Sequence, residues 1–355
     1  MDVVRVLMCA VALGLTEALR GYESVTVEAE YGDICVPGTV ATLAHHGPRK
    51  NNPSPCLGDN MPNGYLCEGG RYCTHGSDST HGVFAEVVGV SHFDLDTLGG
   101  VLRVLGRKPN EPDFWAAAAA VDVQGPHKLG AILEEVADAA HDTWIESPTP
   151  GASREGLKKA VERKLNAFWA WSEEHRLFPD RGGKVTDVTE FFNEAERVLG
   201  LILQGDEELL RKGEEWAQAK EELNNSSFLA HKGGVVLRKA PAFVNHLYEL
   251  PIIGSRACSQ CGSYDLCFNA GEDPSCGLIS GLVCKAVVAF NTKFKSVTVS
   301  LADPIPGVSC REIVQALWGL EAGGHDGIAG SPRGREMTEA DFLAAYAAVI
   351  AAVNK

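Results

Sequence analysis

Phe84-Ala-Glu-Val-Val-Gly-Val-Ser-His92-Phe-Asp94-Leu-Asp96-Thr-Leu-Gly-Gly100 is an apolar run that stops on one imidazole and two carboxylates before a glycine pair. Val87-Val88-Gly89-Val90 reads as a strand buried in a parallel sheet. Residues just beyond such a strand occupy the crevice at its carboxyl end, where open α/β sheets bind ligands. If extended geometry persists, acids at i and i+2 share a side while Phe93 and Leu95 take the other. His92, Asp94 and Asp96 are then gathered together. Oxygen-rich ligation with one imidazole suits Mn²⁺ or Mg²⁺ better than a closed structural zinc. The competing reading is a polar strand-to-helix turn with Asp96 or Thr97 as helix N-cap. A cap accounts for one carboxylate, but not for His92 and a second carboxylate beside it.

Working outward, a chain of 355 residues buries a sizeable core and favours two domains over one. A formal net charge of -15 argues against long-range attraction to duplex nucleic acid or anionic membrane. The apolar start, Met1 to Leu15, carries an acid where a signal peptide wants positive charge and is too short to span a bilayer. It reads as an amphipathic or buried element, so a soluble, cytoplasmic protein without a membrane partner is expected.

Val25-Thr-Val27-Glu-Ala29 alternates as a half-buried strand. Val40 to Ala44 is a second, ending on His45-His46-Gly47-Pro48-Arg49. Residues 47–82 are rich in Gly, Pro, Asn and Ser and predict a long surface excursion. Leu98 to Leu105 suits a helix, and the run Phe114 to Val121 closes on Asp122. Leu129, Ile132, Leu133, Val136 and Ala140 line one face of another helix. Residues 153–223 hold three helical stretches with breaks near Pro179 to Gly183 and at Gly205. Strands return at Gly234 to Arg238, Cys284 to Phe290 and Ser296 to Leu301. A helix at Ser309 to Leu317 precedes a glycine-rich loop, and a last helix runs from about Thr338 to Val353.

The expected fold is α/β with two lobes. A mostly parallel sheet with flanking helices fills residues 1–150, a helical connector 151–230, and a smaller α/β lobe 231–355 with a Cys-rich insertion at 256–284. Within that insertion, Cys258-x-x-Cys261, Cys267 and Cys276 offer thiolates at zinc-knuckle spacing, for which structural Zn²⁺ is expected and an iron–sulfur cluster or unligated thiols are the alternatives. Cys56, Cys67, Cys73 and His75 form a looser second set. Eleven cysteines, an odd number, do not suit a complete set of disulfides.

Gly319-Leu-Glu-Ala-Gly323-Gly324-His325-Asp-Gly327-Ile-Ala-Gly330-Ser331-Pro-Arg333-Gly334 is the second informative stretch. Close-set glycines let the backbone present its N–H groups, and His325, Ser331 and Arg333 suit a phosphate or carboxylate. The alternative is a flexible linker to the last helix.

The strand pair 286–290 and 297–301, the helix 309–317 and the glycine loop Gly323 to Gly330 resemble the substrate-binding DHHA1 domain. With His92-x-Asp94-x-Asp96-x-x-Gly99, they resemble the DHH phosphoesterase superfamily. That resemblance implies a DHH-like metal-binding lobe with two Mn²⁺ ions and a DHHA1-like C-terminal lobe. The chain holds no literal Asp-His-His. Asp122 and His127, in Asp122-Val-Gln-Gly125-Pro126-His127, are candidates for the same crevice, with helix capping near Gly125-Pro126 as the alternative. His45 and His46 are candidates for the missing imidazoles, and Arg49 or Lys50 for phosphate, with a buried His packed against the sheet as the alternative. His141-Asp142 reads equally as a solvated helix face.

The function expected is metal-assisted hydrolysis of a short oligonucleotide, a nucleotide or a small phosphorylated metabolite. His92, Asp94, Asp96 and Asp122, with His127, His45 or His46, would hold the Mn²⁺ or Mg²⁺ ions that activate water and stabilise in-line charge. Gly323, Gly324, His325, Ser331, Arg333 and Arg49 would bind substrate. The alternatives are a non-catalytic nucleotide-binding protein and a hydrolase of aminoacyl esters or amides. A homodimer is compatible with all three.

Overall fold

A computed structural model describes residues 5–8, 24–27, 39–43, 66–67, 71–72, 87–90, 93–105, 107–146, 151–177, 186–251, 282–324, 326–332 and 334–355. They divide into two compact units, residues 1–123 with 129–217, and residues 124–128 with 218–355.

The first unit is built on β1 (Arg5–Met8), β2 (Ser24–Val27) and β3 (Thr39–Leu43); a small antiparallel pair, β4 (Leu66–Cys67) and β5 (Arg71–Tyr72), precedes β6 (Val87–Val90). The sheet order is β3-β2-β6-β1, with all neighbours parallel. Within the apolar N-terminal stretch, Arg5 to Met8 form a strand that pairs with Val87 to Val90. With partners on both sides, β6 is central, so its valines are buried and its sequence does not alternate.

Beyond β6 come α1 (Leu95–Val104), α2 (Pro112–Gln124) and α3 (Leu129–Glu146). In α1, Leu95, Leu98, Val101 and Leu102 form the buried face. Pro112 opens α2 at the one helical position where a missing N–H costs nothing. From Phe114 to Val121 every residue of α2 is buried, so this helix is wedged inside the core. In α3 the buried residues are Ile132, Leu133, Val136, Ala137 and Ala140.

Residues 151–217 lie between the two lobes in sequence, yet they pack as part of the first unit. Ser153 caps α4 (Arg154–Glu174), its hydroxyl accepting from Gly156 N at 3.1 Å. The short β7 (Thr186–Asp187) adds an antiparallel edge to β1 and leads into α5 (Thr189–Leu203), after which α6 (Glu207–Ser226) leaves the unit. Phe168 and Trp171 of α4 meet Phe191 and Phe192 of α5 around Phe93. The Phe93 ring centroid lies 4.7 Å from that of Phe191, edge to face. The backbone immediately before Asp94 is therefore pinned by an aromatic cluster.

Gly213 lets α6 lie against α4, because a Cβ there would come within 2.4 Å of Ala167 N and 2.6 Å of its Cα. In an ordinary exposed helix, Gly→Ala stabilises by about 1 kcal/mol. Here the sign should reverse: Gly213→Ala forces two backbones apart and should cost about 1–3 kcal/mol. Chemical denaturation of the two proteins checks it, and a more stable variant would contradict the close approach.

The second unit carries β8 (Phe228–Lys232), β9 (Val235–Ala240), β10 (Ala286–Asn291), β11 (Ser296–Leu301), α7 (Cys310–Trp318), β12 (Gly323–Gly324), β13 (Ile328–Gly330) and α8 (Glu339–Val353). Its sheet order is β12-β13-β11-β10-β9-β8, with β9 and β10 parallel and the other neighbours antiparallel. Alternate residues go to opposite faces. Val235, Leu237, Val288 and Phe290 pack with Val314 of α7 and Phe342 and Val349 of α8. Val236, Ala240, Val287 and Ala289 pack with Val244, Tyr248 and Leu250. The stretch read as a glycine loop contains the edge hairpin β12–β13, with Gly323 opposite Gly330 and Gly324 opposite Ala329. No helix among the described residues is long and apolar enough to cross a membrane.

Candidate metal centre

Asp94 is the N-cap of α1. Its backbone oxygen accepts from Leu98 N at 3.1 Å, and its Oδ1 accepts from Thr97 N at 3.0 Å. The extended geometry expected from Asp94 through Asp96 is therefore corrected: the helix starts at Leu95, and the cap is Asp94 in place of Asp96 or Thr97. The cause is local, since an Asp side chain satisfies an orphan N–H of the first turn better than a continued strand could. Asp96 then occupies the first turn and is only 3% exposed.

The third carboxylate arrives from elsewhere in the chain. Asp122 lies in the last turn of α2 and is exposed, directly after buried Val121. Ligand oxygens of Asp94, Asp96 and Asp122 all lie within 4.8 Å of one another. Each pair of like charges at about 4 Å repels by roughly 4 kcal/mol at the effective dielectric of a protein surface. The positive end of α1 favours Asp94 and Asp96, whereas Asp122 stands at the negative end of α2. Helix electrostatics alone thus explain two of the three acids. A hard divalent cation matches the donor set, which is all oxygen and includes the buried Asp96.

The remaining candidates fall in three places. His45, His46, Arg49, His92, His325, Arg333, Cys258, Cys261, Cys267 and Cys276 lie outside the described residues. Gly323, Gly324 and Ser331 lie on the edge hairpin of the second unit. Gly324 has φ +146°, and a Cβ there would meet Ile328 O at 2.5 Å, so that position takes only glycine. Ser331 Oγ accepts from Val297 N at 3.1 Å, fastening the hairpin's exit to β11. The turn between β12 and β13 is held by α7: Asp326 O accepts from Cys310 N at 2.8 Å, and an Asp326 carboxylate oxygen from the Ser309 hydroxyl. Arg311 Nε donates to Gly324 O at 2.6 Å. Sequence reading passed over Arg311 and Asp326, although an acid placed to meet a helix start was the available signal.

His127, the third case, belongs to the second unit, in a single helical turn at Pro126–Lys128. Its ring centroid sits 4.6 Å from that of Tyr248. Tyr248 is held in turn by a hydrogen bond from its hydroxyl to Leu301 O at 2.9 Å. Among the described residues neither His127 ring nitrogen finds a partner at normal hydrogen-bond distance. Desolvation, with Lys128 beside it, lowers its pKa; Asp303 and the Ala302 backbone pull the other way and do not offset this. His246, with Asn245 Nδ2 2.9 Å from its Nε2, is lowered in the same direction by desolvation of its ring, then by His127 and Lys220, although the residue as a whole is exposed.

A histidine with a depressed folded-state pKa contributes stability above its unfolded value of about 6.5. That contribution is lost as pH falls from there through the lowered folded value, because the unfolded chain takes up protons first. The melting temperature should fall on acidification from pH 7.5 to 5, and fall less in His127→Gln. Equal slopes in a differential scanning calorimetry series would contradict the assignment.

The described thiols Cys284 and Cys310 are buried and free, and burial pushes them up to about 11 and about 12. They are neutral at ordinary pH and unsuited to nucleophilic work.

No family model matches the chain, and no curated protein matches it. Among solved structures it is similar to RecJ in complex with Mn²⁺ from Thermus thermophilus, at 15% identity and a TM-score of 0.36. The match covers 89% of this chain and 41% of that one. A superposition that loose does not establish a shared fold.

Proposed function

We propose that this chain is a divalent-metal-dependent hydrolase of phosphoesters, with Asp94, Asp96 and Asp122 holding the ion. The observation that carries the reading is the convergence of these carboxylates from the start of one helix and the end of another, with Asp96 buried. Mn²⁺ or Mg²⁺ bound there would polarise a phosphoryl oxygen and lower the pKa of water. The chain's own contribution is positional. Asp94 is locked by the cap of α1 and by the aromatic cluster around Phe93, Asp96 is fixed by burial, and Asp122 rides on a helix embedded in the core. His92, two residues before Asp94, is the natural further ligand; the three carboxylates, with oxygens within 4.8 Å of one another, match the coordination shell of one ion, and a second ion would need His92 or other donors beyond them.

On this reading the substrate is a short oligonucleotide, a nucleotide or a small phosphorylated metabolite. An acidic chain is poorly suited to a long polyanion. Gly323, Gly324, His325, Ser331 and Arg333 are proposed to grip its remaining anionic group, and Cys258, Cys261, Cys267 and Cys276 to hold a structural zinc.

The test is hydrolysis of a dinucleotide, a phosphomonoester and an aminoacyl ester, each with Mn²⁺ and with a chelator. Release of nucleotide or phosphate only with Mn²⁺ is expected. Turnover of the aminoacyl ester alone would replace the phosphoester chemistry, and tight Mn²⁺ binding without turnover would make this a binding protein.

A further inference from the structure

Thr97 is completely buried, and among the described residues its Oγ1 has no hydrogen-bond partner. A threonine in a helix ordinarily returns its hydroxyl to a carbonyl one turn back, and leaving a buried hydroxyl unmade is costly enough that such groups need a reason. The reason is adjacent. Thr97 follows Asp96, and its own N–H already donates to Asp94 Oδ1 at 3.0 Å. Covalent geometry therefore keeps Oγ1 within about 7 Å of that carboxylate oxygen in any rotamer.

We infer that Thr97 is a positioning residue of the metal centre: its hydroxyl donates to a carboxylate oxygen of the Asp94–Asp96 pair once a divalent ion draws those groups into their ligating orientation. This rests on the proposed metal site and deepens it. Thr97 would hold Asp94 by two donors, its backbone N–H and, on loading, its hydroxyl. A ligand carboxylate fixed in this way loses less freedom when the ion binds, and outer partners of this kind change metal affinity by about 10- to 100-fold.

Thr97→Val keeps the shape and removes the donor. It separates the two uses of the residue, because a hydroxyl with no task is better absent from a core. The full-length protein, stripped of loosely bound metal, is titrated with Mn²⁺ by calorimetry and melted without metal, as wild type, Thr97→Val, Thr97→Ser and Thr97→Ala. Thr97→Val is expected to melt no lower than wild type without metal, yet to bind Mn²⁺ about 10-fold or more weakly. Thr97→Ser should bind more tightly than Thr97→Ala. That second pair differs only by the hydroxyl, so it decides the matter even if valine disturbs the helix. Wild-type affinity in Thr97→Val, or equal affinity in the serine and alanine variants, overturns the role of Thr97 while leaving the metal site standing. Absence of any saturable Mn²⁺ binding in wild type that Asp94→Asn removes would overturn both.

Discussion

Asp94→Asn should abolish Mn²⁺-dependent turnover, lowering it by on the order of a hundredfold or more, while leaving the fold intact. Asparagine is as good an N-cap as aspartate, and its side-chain oxygen can still accept from Thr97 N, the bond now 3.0 Å long. What it loses is the negative charge a hard cation requires. Asp96→Asn and Asp122→Asn should act in the same direction. Turnover numbers and Mn²⁺ isotherms measured side by side check this. Full activity in Asp94→Asn with an unchanged melting curve would mean that the acid is a cap and nothing more.

The largest stability effect is expected at Arg238, which is 0% exposed on β9. Its five N–H groups are all engaged. Nε donates to Leu247 O at 2.6 Å, Nη1 to Asn224 O at 2.5 Å and Ser227 Oγ at 3.0 Å, and Nη2 to Asn224 Oδ1 and Glu249 O at 2.5 Å each. Burial pushes its pKa down to about 10, and it remains a cation at neutral pH. The guanidinium closes the carboxyl end of α6, where the last carbonyls lack partners and positive charge is favoured. It also ties the segment after β9 to the sheet.

Arg238→Met fills comparable volume but strands three backbone carbonyls, at roughly 1–3 kcal/mol apiece. A loss of about 3–5 kcal/mol is expected, read by denaturant unfolding and by amide exchange in β8 to β10. Arg238→Lys should restore little, because an ammonium has three donors and no fork. A cost below about 1 kcal/mol for Arg238→Met would show the cage to be incidental. Neither substitution touches the three carboxylates, so Mn²⁺ affinity of the folded fraction should be unchanged.

These two sites were unequally legible in the sequence. Val87 to Val90 announced a central strand through its unbroken apolar run, and α3 announced itself through Leu129, Ile132, Leu133, Val136 and Ala140, the spacing of a helix with one buried face. Asp122 could be singled out because it ends the apolar run of α2. That run has no period, being buried all round, so the sequence alone left open whether strand or helix delivered it. The helix start at Leu95 was misjudged because period-2 reasoning was carried past a residue, Asp94, that caps more readily than it extends. Gly233-Gly234, with φ of +58° and +78°, is the mirror-image turn joining β8 to β9. That glycine pair was the available sign of β8, which lay hidden at the end of a helical stretch. The edge hairpin β12–β13 was opaque for a different reason: its strands are two and three residues long, too short for alternation to register. Arg238 could not be read at all, since nothing local to β9 reveals that carbonyls from residues 224, 247 and 249 converge on it.

The central claim is that Asp94, Asp96 and Asp122 share a divalent cation, and anomalous diffraction at the manganese edge from crystals soaked in Mn²⁺ tests it most directly. One or two anomalous peaks within about 2.5 Å of oxygens from these carboxylates are expected. Crystals that take up Mn²⁺ elsewhere, or none at this cluster at millimolar Mn²⁺, would contradict the account.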